Sequence, residues 1–158
     1  MKPMQRRTLI TAGAALALPG AALAQAGAAP LADVLAPNPA LFRQTVAAFT
    51  RGATPQKEGL QLDVPALADN PAAVPVRVKV TLPINEQDWC EEIIVLADLN
   101  PLPLACRLLF TPAAGTAEAA VRVRLSQSQT VHALARMKSG RLLAASQAVT
   151  AAASGCGM

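Results

Sequence analysis

Val76-Arg77-Val78-Lys79-Val80 decides the class of fold this chain adopts. Valine returns at every second position and a cation fills each gap, so an extended backbone puts three valines on one face and both charges on the other. Leu60, Leu62 and Val64 alternate in the same way with Gln61 and Asp63, and Val121, Val123 and Leu125 with Arg122 and Arg124. One apolar and one charged face is the pattern of half-buried antiparallel strands. Ile93-Ile94-Val95-Leu96 and Leu108-Leu109-Phe110 are unbroken apolar runs, which predict central strands. Residues 130–138 and 141–149, joined at Ser139-Gly140, read as a closing hairpin. Further turn signals at Asp69-Asn70-Pro71, at Asn100-Pro101 and from Pro112 to Gly115 bring the count to about seven short strands. The fold class is therefore mainly β, an Ig-like antiparallel β-sandwich. An up-and-down barrel fits less well, and no pattern calls for a parallel α/β sheet.

Upstream of Leu60 the period changes. Asn38-Pro39 opens a helix, with Asn38 as N-cap and Pro39 at the first helical position. Leu41, Phe42, Thr45, Val46 and Phe49 then recur at helical spacing until Gly52 ends the run. This gives one short amphipathic helix, laid over one side of the sandwich.

The first residues read as an export signal. Lys2 leads to Arg6-Arg7, an Ala/Leu-rich stretch runs to Leu18, Pro19-Gly20 breaks it, and Ala22-Leu23-Ala24 offers a small-x-small cleavage site. The paired arginines point to twin-arginine export and a periplasmic protein. The alternative is a retained membrane anchor, for which the apolar run is short. Cleavage after Ala24 leaves 134 residues, the size of one domain with a tail. It also removes Lys2, Arg6 and Arg7, so that 14 basic residues become 11 against 10 acidic ones. The basic character of the full chain is thus no argument for nucleic acid or an anionic membrane as partner.

Catalytic side chains are scarce. His132 is the single histidine and tyrosine is absent. Alternation with Val131 and Ala133 turns His132 outward, as a surface residue. A metal site would need a second histidine or a CxxC pair, and neither occurs. No Gly-rich phosphate loop is present, and basic residues do not interleave with aromatics. The expectation is a protein without cofactor, metal or nucleic acid. Glu86, Asp88, Glu91 and Glu92 surround Trp89 and read as a solvated loop, with a docking rim for a partner as the alternative. Cys90 and Cys106 do not invite a disulfide. A hairpin about Asn100-Pro101 sets Cys106 opposite roughly Val95 and Cys90 opposite roughly Thr111, an offset of about five residues at ~3.3 Å each, beyond what a bridge tolerates. Both read as small buried apolar groups.

The third cysteine stands in Ser154-Gly155-Cys156-Gly157-Met158. Gly155 and Gly157 leave the backbone beside Cys156 thin and conformationally free. With the last strand ending near Val149, the tether to Cys156 reaches about 25 Å at full stretch. A thiol so placed suits delivery into a narrow channel on another protein; an inert tail cysteine or an intermolecular disulfide is the other reading. No fixed cation or base stands beside it in the sequence, which argues against a catalytic thiol enzyme.

The order of several segments resembles a known family. These are Gly52-Ala53-Thr54-Pro55, Gly59-Leu60-Gln61-Leu62, Pro65-Ala66-Leu67-Ala68-Asp69-Asn70, Val74-Pro75-Val76, Ala97-Asp98-Leu99-Asn100-Pro101, the run Ala119 to Leu125, Ser128-Gln129-Thr130-Val131 and the cysteine tail. Together they look like the SoxY family, the sulfur-carrier subunits of the bacterial thiosulfate-oxidising Sox system. The resemblance covers nearly the whole mature chain. It implies an Ig-like sandwich paired with a SoxZ-like subunit in a heterodimer, and a carrier without enzymatic activity of its own. It also implies that the cysteine near the C-terminus holds the substrate covalently, while a haem enzyme loads it, a hydrolase releases sulfate and a sulfur dehydrogenase oxidises the remaining persulfide.

Cys156 is the one position onto which that role maps, with Gly155 and Gly157 as its slim flanks. The family tail is typically Gly-Gly-Cys-Gly-Gly; Ser154 and Met158 depart from it, which bears on the choice of client enzymes. The chain then divides into an export signal (1–24), an N-terminal segment with the helix (25–59), the sandwich (60–149) and a flexible carrier arm (150–158). The alternatives are a related carrier for another oxidative pathway and a structural Ig-like module whose Cys156 links chains.

Overall fold

The alternating valines form the strand their spacing predicts. In the computed structural model, which describes residues 35–152, the chain runs through helix α1 (Pro39–Thr50) and strands β1 (Leu60–Asp63), β2 (Leu67–Ala68), β3 (Val74–Val80) and β4 (Cys90–Ala97). It continues through β5 (Leu104–Leu109), β6 (Glu118–Val123), β7 (Gln129–Met137) and β8 (Leu142–Ala151). A three-stranded sheet, β1-β3-β6, faces a five-stranded one, β2-β8-β7-β4-β5. Neighbouring strands are antiparallel except β2, which lies parallel to β8.

Two apolar layers hold this together. On β3, Val74, Val76, Val78 and Val80 are buried while Arg77 and Lys79 face solvent. They meet Ile93, Val95 and Ala97 of β4 and Val131, Ala133 and Ala135 of β7 between the sheets. Each such valine or isoleucine contributes about 1.5–3 kcal/mol by leaving water. The second layer lies on the outer face of the five-stranded sheet, where α1 lays Phe49 on Ile94, Leu96, Leu134 and Leu142. β4 is therefore covered on both faces, as its unbroken apolar run predicts. The helix begins where Asn38 Oδ1 accepts the amide of Leu41 at 2.9 Å, with Pro39 next. It ends where Arg51 takes the left-handed conformation and Gly52 follows at φ 82°. The β7–β8 turn closes with Met137 N donating to Arg141 O at 2.9 Å and Gly140 at φ 86°, a backbone geometry that favours glycine.

The hairpin register matches the sequence reading: Val95 faces Cys106 and Glu92 faces Leu109. Cys90 and Cys106 are both free, Cys90 buried and Cys106 half-buried. Three details differ from the sequence reading. β5 is an edge strand with Leu109 74% exposed, because an apolar run does not say whether anything covers its second face. Strand β2 has no periodic signal of its own; two residues become a strand only through the edge of β8. His132 points outward, but onto the face that α1 covers, and its ring lies 5.0 Å from that of Phe42.

Candidate functional site

Gly155, Cys156 and Gly157 lie outside the described residues. The structure does describe the end of the sandwich from which they depart, and the segments singled out in the sequence converge there. Asn100 is the centre of that end. Its Oδ1 accepts from Ser126 N at 2.9 Å and Gln129 Nε2 at 2.8 Å, and its Nδ2 donates to Arg124 O at 2.8 Å. Gln129, which is buried, accepts the amide of Leu99 at 2.8 Å, and Asp98 accepts that of Thr130 at 3.0 Å. The loops after β4 and after β6 and the start of β7 are thus tied into one unit. Sequence reasoning saw Asn100 as a turn residue and Gln129 as part of a strand. Their partners lie 24 to 30 positions away in the chain, so no local signal marks the network.

The last strand is fastened to this unit on one side and to β2 on the other. Ala151 N donates to Ser128 Oγ at 3.0 Å, Thr150 N to Ala66 O at 2.8 Å and Ala152 N to Ala68 O at 2.9 Å. Gln147 Nε2 adds a bond to Val64 O at 2.6 Å. Backbone pairing therefore runs through Ala152, beyond the Val149 at which the sequence placed the strand's end. Cys156 is four Cα–Cα steps beyond Ala152, which at full stretch span at most about 14 Å, against the ~25 Å expected from sequence.

That bound also bears on His132. His132 pairs across the ladder with Ser146. Ala152 lies six residues past Ser146, about 20 Å at ~3.3 Å per residue. The ~14 Å tether is shorter than that, so an approach to the imidazole takes a fully extended tether turned back along the strand. His132 Nε2 instead sits 3.6 Å from Asp98 Oδ2, beyond hydrogen-bond length, beneath the start of α1.

The other two thiols are unsuited to covalent chemistry. Burial pushes Cys90 from the ordinary 9.0 to about 11, against a smaller opposing pull from backbone hydrogen bonds at Glu92 and Arg136. Burial also raises Cys106. A thiolate is the reactive form, so burial disfavours reaction at both, most strongly at Cys90. The acidic cluster is structural and not a solvated loop throughout. Glu92 is buried between Arg136 and Arg107, the latter at 2.7 Å, and Arg136 stacks on Phe49 at 4.8 Å. Asp88 accepts Ser139 N at 3.0 Å and pairs with Arg141 at 3.3 Å. Among the described residues no three His, Cys, Asp or Glu side chains gather to hold a metal.

Comparison with known proteins now bears on this geometry. The sequence matches the family described as sulfur oxidation protein SoxY over residues 46–156, more than half of the chain, and the match reaches Cys156. The chain belongs to the SoxY family.

Among solved structures, this SoxY-family fold is similar to the sulfur carrier protein SoxY from Chlorobium limicola f thiosulfatophilum. The TM-score is 0.58 at 21% identity, covering 73% of this chain and 100% of that one. It is also similar to superoxide reductase (neelaredoxin) from Ignicoccus hospitalis, with a TM-score of 0.54 at 18% identity over 60% of this chain and 81% of that one. At such identities each likeness shows a shared fold alone. None of the curated sequences compared with the chain matches it.

Proposed function

We propose that this chain is a periplasmic sulfur-substrate carrier, not itself an enzyme, which holds thiosulfate-derived intermediates covalently on Cys156. The observation that carries the reading is the position of the three thiols. The family match extends to Cys156, four residues beyond the last fastened backbone group, while Cys90 and Cys106 belong to the folded body, where burial raises both above the ordinary thiol. Gly155 and Gly157 keep the arm narrow on either side of the sulfur. The partner is a SoxZ-like subunit in a heterodimer. The clients are a haem enzyme, a hydrolase and a sulfur dehydrogenase, and the carrier needs no cofactor of its own.

Loading breaks the S–H bond of Cys156 and forms an S–S bond to thiosulfate. The proton goes to solvent and two electrons go to the haem client. A carrier has no need to activate its own thiol, because the visited enzyme supplies charge and geometry. The test is the intact mass of the periplasmic protein from thiosulfate-grown cells, before and after reductant, beside Cys156→Ala. Reductant-sensitive sulfur or thiosulfonate adducts that vanish in the variant support the carrier. A bare or merely dimer-linked Cys156 overturns it.

A further inference from the structure

We infer that the client enzyme docks on the arm-bearing end itself, over the outer face shared by β2 and the second half of β8, with Leu67 as the apolar anchor; the inference rests on the carrier reading. The length of chain between clamp and thiol carries it. Ala152 is held by Ala68, Ala151 by Ser128 and Thr150 by Ala66, so the Cα of Cys156 stays within about 14 Å of a fixed point. A channel that receives the thiol must open closer to Ala152 than this. The surface beside that point therefore touches the client.

That surface has the character of a contact. Leu67 is the cross-strand partner of Thr150 and is 57% exposed. Ser146, Ala148 and Thr150 continue the same face and are exposed, whereas α1 covers it further along, at Ala144 and Leu142. No charged residue occurs from Leu142 to Ala152 or from Val64 to Ala68; exposed Asp63 and Asp69 bound the latter run. The outer face of the three-stranded sheet differs, with Arg77, Lys79, Arg122 and Glu118 all on β3 and β6. An uncharged patch with one large apolar side chain is read by shape and burial, not by charge steering. The client it fits presents an apolar, uncharged rim around its channel.

The test uses the mature chain in its heterodimer with the SoxZ-like subunit, loaded with tetrathionate. The Cys156 thiolate attacks an inner sulfur, a thiosulfonate forms on Cys156 and thiosulfate leaves. The client is the sulfate-releasing Sox hydrolase. Leu67→Asp and Thr150→Arg each raise its KM by about tenfold or more, with kcat within about twofold. Leu109→Asp, on the opposite edge of the same sheet, leaves both constants unchanged. Six Gly/Ser residues inserted after Ala152 add about 20 Å of reach and bring Leu67→Asp to within about threefold of the native chain. Raising salt from about 50 to about 300 mM changes the native KM by less than about twofold. Native KM values for both Leu67→Asp and Thr150→Arg overturn the docking face and leave the carrier role standing. Failure of the native chain to load on Cys156 overturns the carrier reading, and the docking face with it.

Discussion

Cys90 shows how placement, and not residue type, decides what a thiol does. It lies at the start of β4, fully covered, and donates weakly to Glu92 O at 3.5 Å. Burial raises its proton affinity from 9.0 to about 11. A group that holds its proton more tightly when folded contributes stability below the unfolded value and loses it as pH rises toward the folded one. The urea midpoint of the native chain is therefore expected to fall between about pH 9 and about pH 11. The fall should be smaller in Cys90→Ala, and equal falls in the two proteins would refute the assignment. That Cys90 and Cys106 stay unbridged was legible in the sequence, from the strand offset; Cys90 is buried as expected, whereas Cys106, on the edge strand β5, is only half-buried. The half-covered setting of His132 was not: alternation gives the face of a strand, and only the helix packed there says whether that face is wet.

At the scale of elements, α1 and the five-stranded sheet depend on each other. Phe49 packs on Ile94, Leu96, Leu134 and Leu142, and its ring receives the guanidinium of Arg136, which also neutralises buried Glu92. Phe49→Ala is expected to cost about 3–5 kcal/mol, since it opens a cavity and removes the platform under Arg136. Arg43→Ala, on the exposed side of the same helix, is expected to change stability by less than about 0.5 kcal/mol. Denaturant midpoints of the two variants check this, and similar losses would mean the helix is not anchored through Phe49. The existence of α1 followed from the Asn38-Pro39 start and the apolar spacing after it. The same holds for β1, β3, β6 and β7, where a period of two is unmistakable. β5 read as central because Leu108-Leu109-Phe110 is uniformly apolar, yet nothing among the described residues covers Leu109.

For the whole molecule, the export reading has a direct test. Arg6→Lys together with Arg7→Lys is expected to leave the full 158-residue precursor in the cytoplasm, while the native chain is recovered from the periplasm 24 residues shorter. Fractionation with intact mass decides it, and unchanged export would remove the twin-arginine assignment. The mainly β class and the helix that covers one sheet rest on periodicities, which act over a few residues and can be read from a linear chain; the role proposed for Cys156 rests on its glycine neighbours and the family match. The fastening of the chain through Ala152 cannot be read from the linear chain. It arises because Ala66 and Ala68, more than eighty positions upstream, meet the end of β8 and take up its last amides, and because Asn100 and Gln129 lock the neighbouring loops. Hydrogen bonds across such separations depend on tertiary pairing and leave no local signal in the sequence. A strand two residues long therefore sets where the fastened backbone ends.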